Sequence, residues 1–446
     1  MGKLFGTDGI RGVANRDLTP EMAFRIGRIA AWMLGREHTN PVFLIGRDTR
    51  LSGSMLEGSL TAGITSAGGQ VRLLGVVSTP AVAYLTREFN ASAGVVISAS
   101  HNPIEDNGLK IFDGRGFKLP DALEEQIENY YFQESDSLPR PEGPLLGQAF
   151  FHEEGIDKYL NHLKDSAVSL KGLSLVADCA HGAVCQVAGV LLQSLGATVK
   201  VLHDDPDGSR INVNCGATDT ADLQREVVSS RAALGLAFDG DADRLIAVDE
   251  KGEVVNGDAM MAICAINMAY KGLLKHNTLV TTVMSNGGLD ILVEKHGLKV
   301  IRTAVGDRYV LEKMIEGGFN LGGEQSGHII FSDYATTGDG LLTALQLLKV
   351  IQEEQKPLSE LASHLEQLPQ VLVNQKVATK HGWAENLKIS AAIDQVKQEL
   401  GHHSRILVRP SGTEPKIRVM IEAPLPEEKL EEYAHYIAEV IASEQS

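Results

Sequence analysis

Three aspartates on alternate positions form the most distinctive chemical feature of the sequence. Asp239, Asp241 and Asp243 stand in the run AFDGDADR, separated by small residues and followed directly by an arginine. The apolar runs on either side, 234–238 and 245–248, predict two buried strands. Three carboxylates at this spacing repel one another strongly unless a cation is present, and carboxylate oxygens are ligands that magnesium prefers. The pattern therefore predicts a magnesium site at the end of a buried strand.

A solvated hairpin turn is the alternative interpretation of this stretch, because Asp-Gly pairs commonly form turns. A calcium loop is not supported, since no glutamate stands where such a loop needs its bidentate ligand. The residues favour magnesium and leave the solvated turn as the second interpretation.

Length and charge narrow the class of protein. A chain of 446 residues exceeds a single ordinary core and predicts three or four domains. The net charge of -17 argues against nucleic acid or an anionic membrane as the main partner. The four cysteines show no CxxC spacing, and neither a signal-peptide pattern nor a membrane-length apolar run is present. We therefore expect a cytoplasmic protein that binds neither nucleic acid nor membrane.

Strands and helices alternate along most of the chain, which predicts an α/β architecture. We expect three similar mixed-sheet α/β domains around a central cleft, followed by a smaller C-terminal α+β domain. The predicted domains cover residues 1–150, 151–253, 254–368 and 369–446. The segment Ser137–Gly147 is rich in proline and glycine and predicts a linker.

Each of the three α/β units carries a polar loop at the carboxyl end of a strand, where ligand groups gather in open α/β sheets. SASHNP (98–103) follows the apolar run 94–97, and GGEQSGH (322–328) lies in the third unit. The aspartate loop belongs to the second unit. This placement predicts that the three loops face one cleft.

The loop RPSGTEP (409–415) joins two predicted strands of the last domain and is followed by Lys416 and Arg418. An arginine fork, two hydroxyls and a glycine amide can wrap one phosphate. A turn with ordinary surface cations is the alternative for this loop taken alone.

Adjacent Ser100 and His101 do not predict a hydrolase. Neighbouring side chains on an extended chain point apart. No GxSxG elbow is present, because the serine of GEQSG stands one place too late. The GxxxxGK[ST] and GxGxxG nucleotide loops are absent as well.

Taken together, six motifs resemble the α-D-phosphohexomutase superfamily, most closely its bacterial branch that acts on glucosamine phosphates. The motifs are, in chain order, FGTDGIRG (5–12), ISASHNP (97–103), AFDGDADR (237–244), VGDRYVLEKM (305–314), GEQSGH (323–328) and RPSGTEP (409–415). The resemblance covers nearly the whole chain. It departs at His181, where the family usually has an asparagine outside its catalytic set.

The resemblance implies an isomerase whose Ser100 must be phosphorylated for activity. One magnesium ion per site would lie between Ser100 and the three aspartates, so Ser100 is also a metal ligand. The phosphoserine would convert a sugar phosphate into a bisphosphorylated sugar, which reorients and returns its other phosphate to Ser100. The net reaction would interconvert glucosamine 6-phosphate and glucosamine 1-phosphate, feeding UDP-N-acetylglucosamine and cell-wall synthesis.

The same resemblance places Arg11, His101 and Lys110 beside the phosphoserine. Lys110 is the expected general acid/base, on condition that burial and neighbouring cations lower its pKa. Arg244 would reach the transferring phosphate and His328 would assist. Taken alone, a lysine in a strand is usually solvated and a single histidine is usually structural.

Substrate binding is implied for residues of the last two domains. Glu324 and Ser326 would bind the sugar, and Asp307 and Arg308 are weaker candidates. The clamp on the phosphate that is not transferred would comprise Arg409, Ser411, Gly412, Thr413 and Arg418. The four domains would thus carry, in order, the phosphoserine, the metal, the sugar contacts and the phosphate clamp.

Phosphomannomutase or phosphoglucomutase activity on the same fold is the nearest rival. A non-catalytic sugar-phosphate sensor is disfavoured because Ser100 and all three aspartates are present. A phosphatase is a further alternative, against which domain closure would guard. Small sugar phosphates are the expected partners, and the sequence leaves a homodimer open.

Overall fold

The computed structural model describes residues 4–6, 8–401, 404–411 and 415–445. The chain divides into two compact units, residues 1–283 with 301–362 and residues 284–300 with 363–446.

The first sheet and its helices occupy the N-terminal third of the chain, within the first unit. Its elements are β1 (Phe5–Gly6), β2 (Gly9–Val13), α1 (Pro20–Gly35), β3 (Val42–Arg47), α2 (Gly53–Ser66), β4 (Gln70–Val76), α3 (Thr79–Glu88), β5 (Ala93–Ile97), β6 (Asp106–Asp113), α4 (Asp121–Tyr131) and β7 (Ala149–Phe151). The strand order is β1-β2-β6-β5-β3-β4-β7. The strands β3, β4, β5 and β7 are parallel and β6 is antiparallel to β5. β5 is buried along its whole length, as its uniformly apolar sequence predicts.

Local signals explain where the helices of this region begin. The Thr19 side chain accepts a hydrogen bond from the amide of Met22 at 3.2 Å, and Pro20 occupies the first helical turn of α1. The helix then packs Ile26 and Ile29 into the core beside Phe43 of β3.

The predicted linker is a packed part of this region. The Leu138 side chain is buried, and its carbonyl accepts a hydrogen bond from Arg28 at 3.1 Å. Gly147 lies so close to Gly69 that a Cβ atom would come within 1.9 Å of the Gly69 carbonyl oxygen. The segment is therefore a packed connection, which folds back onto α1 and α2 and continues into β7.

The second sheet follows in the chain. Its elements are α5 (Gly155–Ser166), β8 (Ser174–Asp178), α6 (Ala188–Ser194), β9 (Thr198–Leu202), α7 (Ala221–Ser230), β10 (Leu234–Phe238), β11 (Leu245–Asp249) and β12 (Val254–Val255). The order is β12-β11-β10-β8-β9, with β10 parallel to β8 and antiparallel to β11. The hairpin of β10 and β11 therefore has the aspartate run as its connection.

The third sheet has the order β14-β13-β15-β16. The elements of this region are α8 (Gly257–Tyr270), β13 (Thr278–Thr282), α9 (Gly288–Lys295), β14 (Lys299–Thr303), α10 (Asp307–Gly317), β15 (Leu321–Gly323), β16 (Ile329–Phe331), α11 (Gly340–Glu354) and α12 (Leu358–Ala362). The carboxylate of Asp339 caps α11 by accepting a hydrogen bond from the amide of Leu342 at 3.0 Å.

The second unit contains α9 and the C-terminal elements, which are β17 (Gln370–Lys376), α13 (Leu387–Leu400), β18 (Arg405–Pro410), β19 (Lys416–Glu422) and α14 (Glu427–Glu444). The strands form an antiparallel sheet of order β17-β19-β18. Its core contains Ile417, Val419 and Ile421 of β19 with Ile437 and Ile441 of α14. Three mixed α/β sheets and this small α+β domain confirm the predicted fold class.

Candidate active site

The loop after β5 places Ser100 in a buried and strained position. Ser100 has a φ of 53° and only 1% of its surface is exposed. Its hydroxyl donates a hydrogen bond to Asp239 Oδ2 at 2.5 Å. Its amide donates to Ser98 Oγ at 2.9 Å, and the Ser98 hydroxyl donates to Asp48 Oδ2 at 2.6 Å. The serine is thus held against the aspartate run by side chains from two neighbouring strands.

A fully buried arginine fixes the rest of this loop. The Arg50 guanidinium donates to the carbonyl oxygens of Ser100 at 3.0 Å and Asn102 at 2.8 Å, and it pairs with Asp48 at 3.0 Å. Asn212 adds a bond to the same Ser100 carbonyl at 2.9 Å. Arg50 was not predicted as part of the site, although its position just after β3, at a strand end, is a usable signal.

The aspartate run forms a hairpin connection, but it is not a solvated turn. Asp239 and Asp241 have no exposed surface and Asp243 has 3%, so the alternative interpretation is wrong. Gly240 is required here, because a Cβ atom at that position would approach the Ser100 carbonyl oxygen to 2.6 Å. The serine loop and the aspartate run are therefore in direct contact.

The carboxylates of the run are only partly compensated within the protein. Asp241 Oδ2 accepts hydrogen bonds from Thr79 Oγ1 at 2.5 Å and Lys110 Nζ at 2.8 Å. Asp241 Oδ1 and Asp243 Oδ1 are buried without a hydrogen-bond partner among the described residues. Burial, together with the charges of Asp243 and Asp241, raises the pKa of Asp239 well above its usual value.

This donor set fits a metal ion. One oxygen from each of the three aspartates lies within 4.8 Å of the other two. Unsatisfied buried carboxylate oxygens are hard ligands whose repulsion a divalent cation would relieve. The run can therefore hold a metal ion, with the Ser100 hydroxyl beside it.

Lys110 lies in the middle of these charges. Its side chain is 2% exposed and its Nζ lies 2.8 Å from Asp241, 3.1 Å from Asp243 and 3.2 Å from Asp8. The solvated-strand alternative is therefore wrong. Burial alone would lower the pKa of Lys110, but the three carboxylates raise it well above the usual value. The condition of a lowered pKa is not met, because carboxylates rather than cations dominate its surroundings.

A cavity of about 390 Å³ opens beside these groups. Polar residues from all three α/β regions line it, namely Asp8, Arg11, His101, Asp243, Arg244, Asp307, Glu324 and His328. His101 Nδ1 lies 3.4 Å from Ser100 Oγ. Burial and the charges of Arg244 and Arg11 lower the pKa of His101 to about 4, so its imidazole is neutral near pH 7. The structure thus brings Arg11, His101 and Arg244 together at the cavity, with Ser100 and Lys110 beside them on the aspartate run.

The loop after β15 supplies another wall of the cavity, where His328 Nδ1 lies 3.7 Å from Asp243 Oδ1. Glu324 Oε1 accepts a hydrogen bond from the Gly306 amide at 3.2 Å. His328 Nε2 accepts a hydrogen bond from the Gly338 amide at 3.0 Å. The Ser326 hydroxyl, in the turn between β15 and β16, is buried without a hydrogen-bond partner in the part of the chain that the structure describes.

The two weaker candidates at the start of α10 differ. Asp307 lines the cavity and its Oδ2 lies 2.5 Å from Lys118 Nζ, a residue that the sequence analysis missed. Arg308 instead pairs with Glu124 of α4 at 2.9 Å and donates to the Leu119 carbonyl at 2.9 Å. Arg308 therefore links α10 to the first region and does not belong to the cavity wall.

The predicted phosphate clamp lies in the second unit. Arg409 on β18 stands opposite Arg418 on β19 in the antiparallel register. Ser411 is buried, and its carbonyl accepts a hydrogen bond from Lys380 at 2.7 Å. The other two clamp residues, Gly412 and Thr413, lie outside the described residues.

A second group of potential ligands lies at the edge of the second sheet. One atom each from Asp178, His203 and Cys215 lies within 4.8 Å of the others. The Asp178 carboxylate accepts hydrogen bonds from the amides of Ala180 and Gly216, both at 2.9 Å. Burial raises the pKa of the Cys215 thiol to about 12, so this sulfur is not a thiolate near pH 7.

Comparison with known families places this architecture and site in one class. Models of the phosphoglucomutase/phosphomannomutase α/β/α domains I, II and III match residues 2–137, 157–252 and 256–368, and the model of the C-terminal domain matches 372–440. The chain therefore belongs to the phosphoglucomutase/phosphomannomutase family, within the α-D-phosphohexomutase superfamily that the motifs indicated. Members of this family are isomerases, so the chain is an enzyme of that class.

Two full-length relatives show which members of the family the chain resembles. The phosphoglucosamine mutases of Bacillus cytotoxicus and Bacillus cereus are each 53% identical over 445 residues, which span 100% of this chain and 99% of theirs.

In the described residues, no helix is both long and apolar enough to cross a membrane.

Solved structures share the fold at low identity. A phosphoglucomutase/phosphomannomutase family protein from Burkholderia thailandensis has a TM-score of 0.80 at 23% identity, with 98% of this chain and 97% of that one covered. An N-acetylphosphoglucosamine mutase from Aspergillus fumigatus, solved with GlcNAc-6P and magnesium, has a TM-score of 0.66 at 19% identity, with 99% and 96% covered.

Proposed function

We propose that this enzyme is a phosphoglucosamine mutase, which interconverts glucosamine 6-phosphate and glucosamine 1-phosphate through a phosphorylated Ser100. The observation that carries the proposal is the contact of 2.5 Å between Ser100 Oγ and Asp239 inside a buried aspartate triplet. The full-length identity of 53% to curated phosphoglucosamine mutases supports the choice of substrate.

The first half-reaction moves a phosphoryl group from Ser100 to the sugar. The bond between phosphorus and Ser100 Oγ breaks, and a bond forms between phosphorus and a sugar hydroxyl oxygen. The sugar hydroxyl gives its proton to the neutral imidazole of His101, and Ser100 Oγ takes a proton from the Lys110 ammonium; the return half-reaction reverses both proton transfers. Lys110 is the proposed proton donor to Ser100, since a raised pKa keeps its ammonium protonated.

Charge around the transferring phosphorus is controlled by cations. Magnesium bound by Ser100, Asp239, Asp241 and Asp243 would neutralise the phosphoryl oxygens and make phosphorus more electrophilic. Arg11 and Arg244 line the cavity and would bind the same oxygens. The Arg50 bonds to the Ser100 loop would hold the acceptor oxygen in place between turnovers.

The bisphosphorylated sugar then turns and returns its other phosphate to Ser100. Glu324 and Ser326 would bind sugar hydroxyls or the protonated amine in both orientations, with His328 beside them. Arg409, Ser411, Gly412, Thr413 and Arg418 would hold whichever phosphate is not reacting. Residues 1–150, 151–253, 254–368 and 369–446 are accordingly the proposed phosphoserine, metal, sugar and clamp domains.

Initial rates with three substrates test the proposal. The enzyme with phosphorylated Ser100 is assayed with glucosamine 6-phosphate, glucose 6-phosphate and mannose 6-phosphate at equal concentrations. We expect the largest kcat/KM for glucosamine 6-phosphate. A larger kcat/KM for glucose or mannose phosphate would favour the phosphoglucomutase or phosphomannomutase alternative and overturn the substrate assignment.

A further inference from the structure

A buried lysine outside the six motifs forms ion pairs with two residues that line the cavity. Lys118 follows β6, and its side chain is 11% exposed. Its Nζ forms an ion pair with Asp8 of the N-terminal loop and a second one with Asp307 Oδ2 at 2.5 Å. Asp8 and Asp307 both line the cavity. One ammonium group therefore joins two segments that are about 300 residues apart in the chain.

Asp8 connects this lysine to the phosphoryl-transfer wall. Its carboxylate forms an ion pair with Arg11 and lies 3.2 Å from Lys110. Burial would raise the pKa of Asp8, but the charges of Lys110, Lys118 and Arg11 hold it well below the usual value. The Asp8 carboxylate is therefore ionised and is shared by three cations.

Asp307 connects the lysine to the sugar wall. It is the first residue of α10 and follows Gly306, whose φ of 129° is accessible to glycine but rarely to other residues. The Gly306 amide donates to Glu324 Oε1 at 3.2 Å. The backbone that Lys118 holds through Asp307 therefore also holds the carboxylate proposed to bind the sugar.

Two carboxylates are needed to keep this cation buried. Burial alone would lower the pKa of Lys118, but Asp307 and Asp8 raise it above the usual value. A buried ion pair of this kind stabilises one arrangement of its partners, because a displaced partner leaves a charge without compensation.

We propose that Lys118 is a positioning residue, which fixes the sugar wall at Gly306 and Glu324 relative to the transfer wall at Asp8 and Arg11. It acts through Asp307 and Asp8 and need not touch the substrate. The inference deepens the proposed function and rests on it. Its consequence is that Lys118 contributes to substrate affinity and alignment but not to metal binding or to phosphorylation of Ser100.

A double-mutant cycle on the full chain tests this role. We compare Lys118→Gln, Asp307→Asn and the double variant, and measure kcat and KM for glucosamine 6-phosphate. Both single variants should raise KM about tenfold with a smaller change in kcat, and the double variant should be no worse than either single one. Arg115→Gln is the matched control, because Arg115 is an exposed cation of the same hairpin that pairs with Asp113.

Three further measurements separate positioning from loss of the fold or of the enzyme activity. Lys118→Arg keeps the charge and should recover part of the lost affinity. Intact mass should show phosphorylated Ser100 in every variant, and urea unfolding should show a folded protein. Absence of mutase turnover in the wild type would contradict the proposed function itself.

With an active wild type, two results would overturn the positioning role. The first is a wild-type KM in Lys118→Gln or Asp307→Asn. The second is a double variant whose loss equals the product of the two single losses, because the two residues would then act independently. If Lys118→Gln does not fold, the positioning role is tested with Asp307→Asn and Lys118→Arg instead. Wild-type KM values in both of these variants would also overturn the role.

Discussion

Two clusters of potential metal ligands lie at the carboxyl ends of neighbouring strands in the second sheet, and they differ in how their charges are compensated. Asp178 ends β8 and faces His203, which follows β9, with Nδ1 at 3.0 Å from Asp178 Oδ2. Asp239 follows β10 and begins the triplet. Both aspartates have no exposed surface.

The Asp178 carboxylate is satisfied by two backbone amides and a histidine. The triplet instead keeps two buried carboxylate oxygens without a hydrogen-bond partner among the described residues, and it raises the pKa of Asp239 well above its usual value. Clustered carboxylates alone therefore do not identify a cation site. The informative feature is buried negative charge that the protein itself compensates only in part.

The largest effect is expected from the triplet. Asp241→Asn removes one charge and a good oxygen ligand, so magnesium affinity should fall and kcat/KM should drop about 1,000-fold. Titration calorimetry, after a chelator has removed bound metal, measures the magnesium affinity. Initial rates measure kcat/KM. Wild-type magnesium binding with full turnover in this variant would mean that the run is only a structural turn.

A variant of the second unit should impair catalysis while leaving the triplet unaffected. Arg409→Ala should lower kcat/KM about 30-fold to 900-fold, because a charged partner of the unreacting phosphate is lost. This range corresponds to a loss of roughly 2–4 kcal/mol of transition-state stabilisation. Arg409→Lys should also be impaired, since an ammonium cannot bind phosphate as a fork. Lys388→Gln, which removes an exposed cation paired with Glu444, is the control.

Magnesium binding and phosphorylation of Ser100 should persist in Arg409→Ala. Unchanged catalytic efficiency in this variant would exclude Arg409 from the clamp.

A substitution in the cluster of Asp178, His203 and Cys215 should change the stability of the protein and leave magnesium binding unchanged. Asp178→Asn places an amide NH2 group opposite backbone donors, so the free energy of unfolding should fall by about 1–3 kcal/mol. Urea denaturation measures this loss, and calorimetry should show wild-type magnesium affinity. A large loss of magnesium affinity with unchanged stability would reverse the assignment of the two clusters.

The smallest effect is expected at His203. Its contact with Asp178 raises the pKa of His203 above 6.5, so the ion pair contributes fully below about pH 6 and is lost as pH rises through the raised pKa. His203→Gln should therefore reduce stability by less than about 1 kcal/mol, given the partial exposure of the ring. The difference from wild type, measured by urea denaturation, should shrink as the pH rises above 6.5 and through the raised pKa, and a difference that grows with pH would contradict the ion pair.

Local sequence patterns predicted the elements that carry strong periodicity and caps. The bounds of α11, Gly340–Glu354, follow from an apolar helical face that begins after Asp339. The helices α4, α5, α7, α9 and α12 were not predicted. In α4 the helix is rich in charged and polar residues, and Glu128 is buried by accepting hydrogen bonds from the amides of Leu4 and Phe5. A contact across more than 120 residues has no local signal.

The same limit applies to the candidate site. Ser100 and the triplet follow strand ends, which is a signal in the sequence itself, whereas the roles of Arg11, His101, Arg244, Glu324 and His328 were expected only from the resemblance of the motifs. The ion pairs of Lys118 and the bonds of Arg50 depend on which strands become neighbours, which spacing alone does not give. The direction of the Lys110 pKa was missed for the same reason, since Asp241, Asp243 and Asp8 approach it from other segments of the chain.

The most direct test of the account is the location of the transferred phosphate. Wild type and Ser100→Ala are incubated with magnesium and glucosamine 6-phosphate, glucosamine 1-phosphate formation is measured, and peptide mass spectrometry locates phosphate on the protein. We predict turnover with phosphate on Ser100 in the wild type, and neither in a folded Ser100→Ala protein. Full turnover in Ser100→Ala would contradict the phosphoserine mechanism.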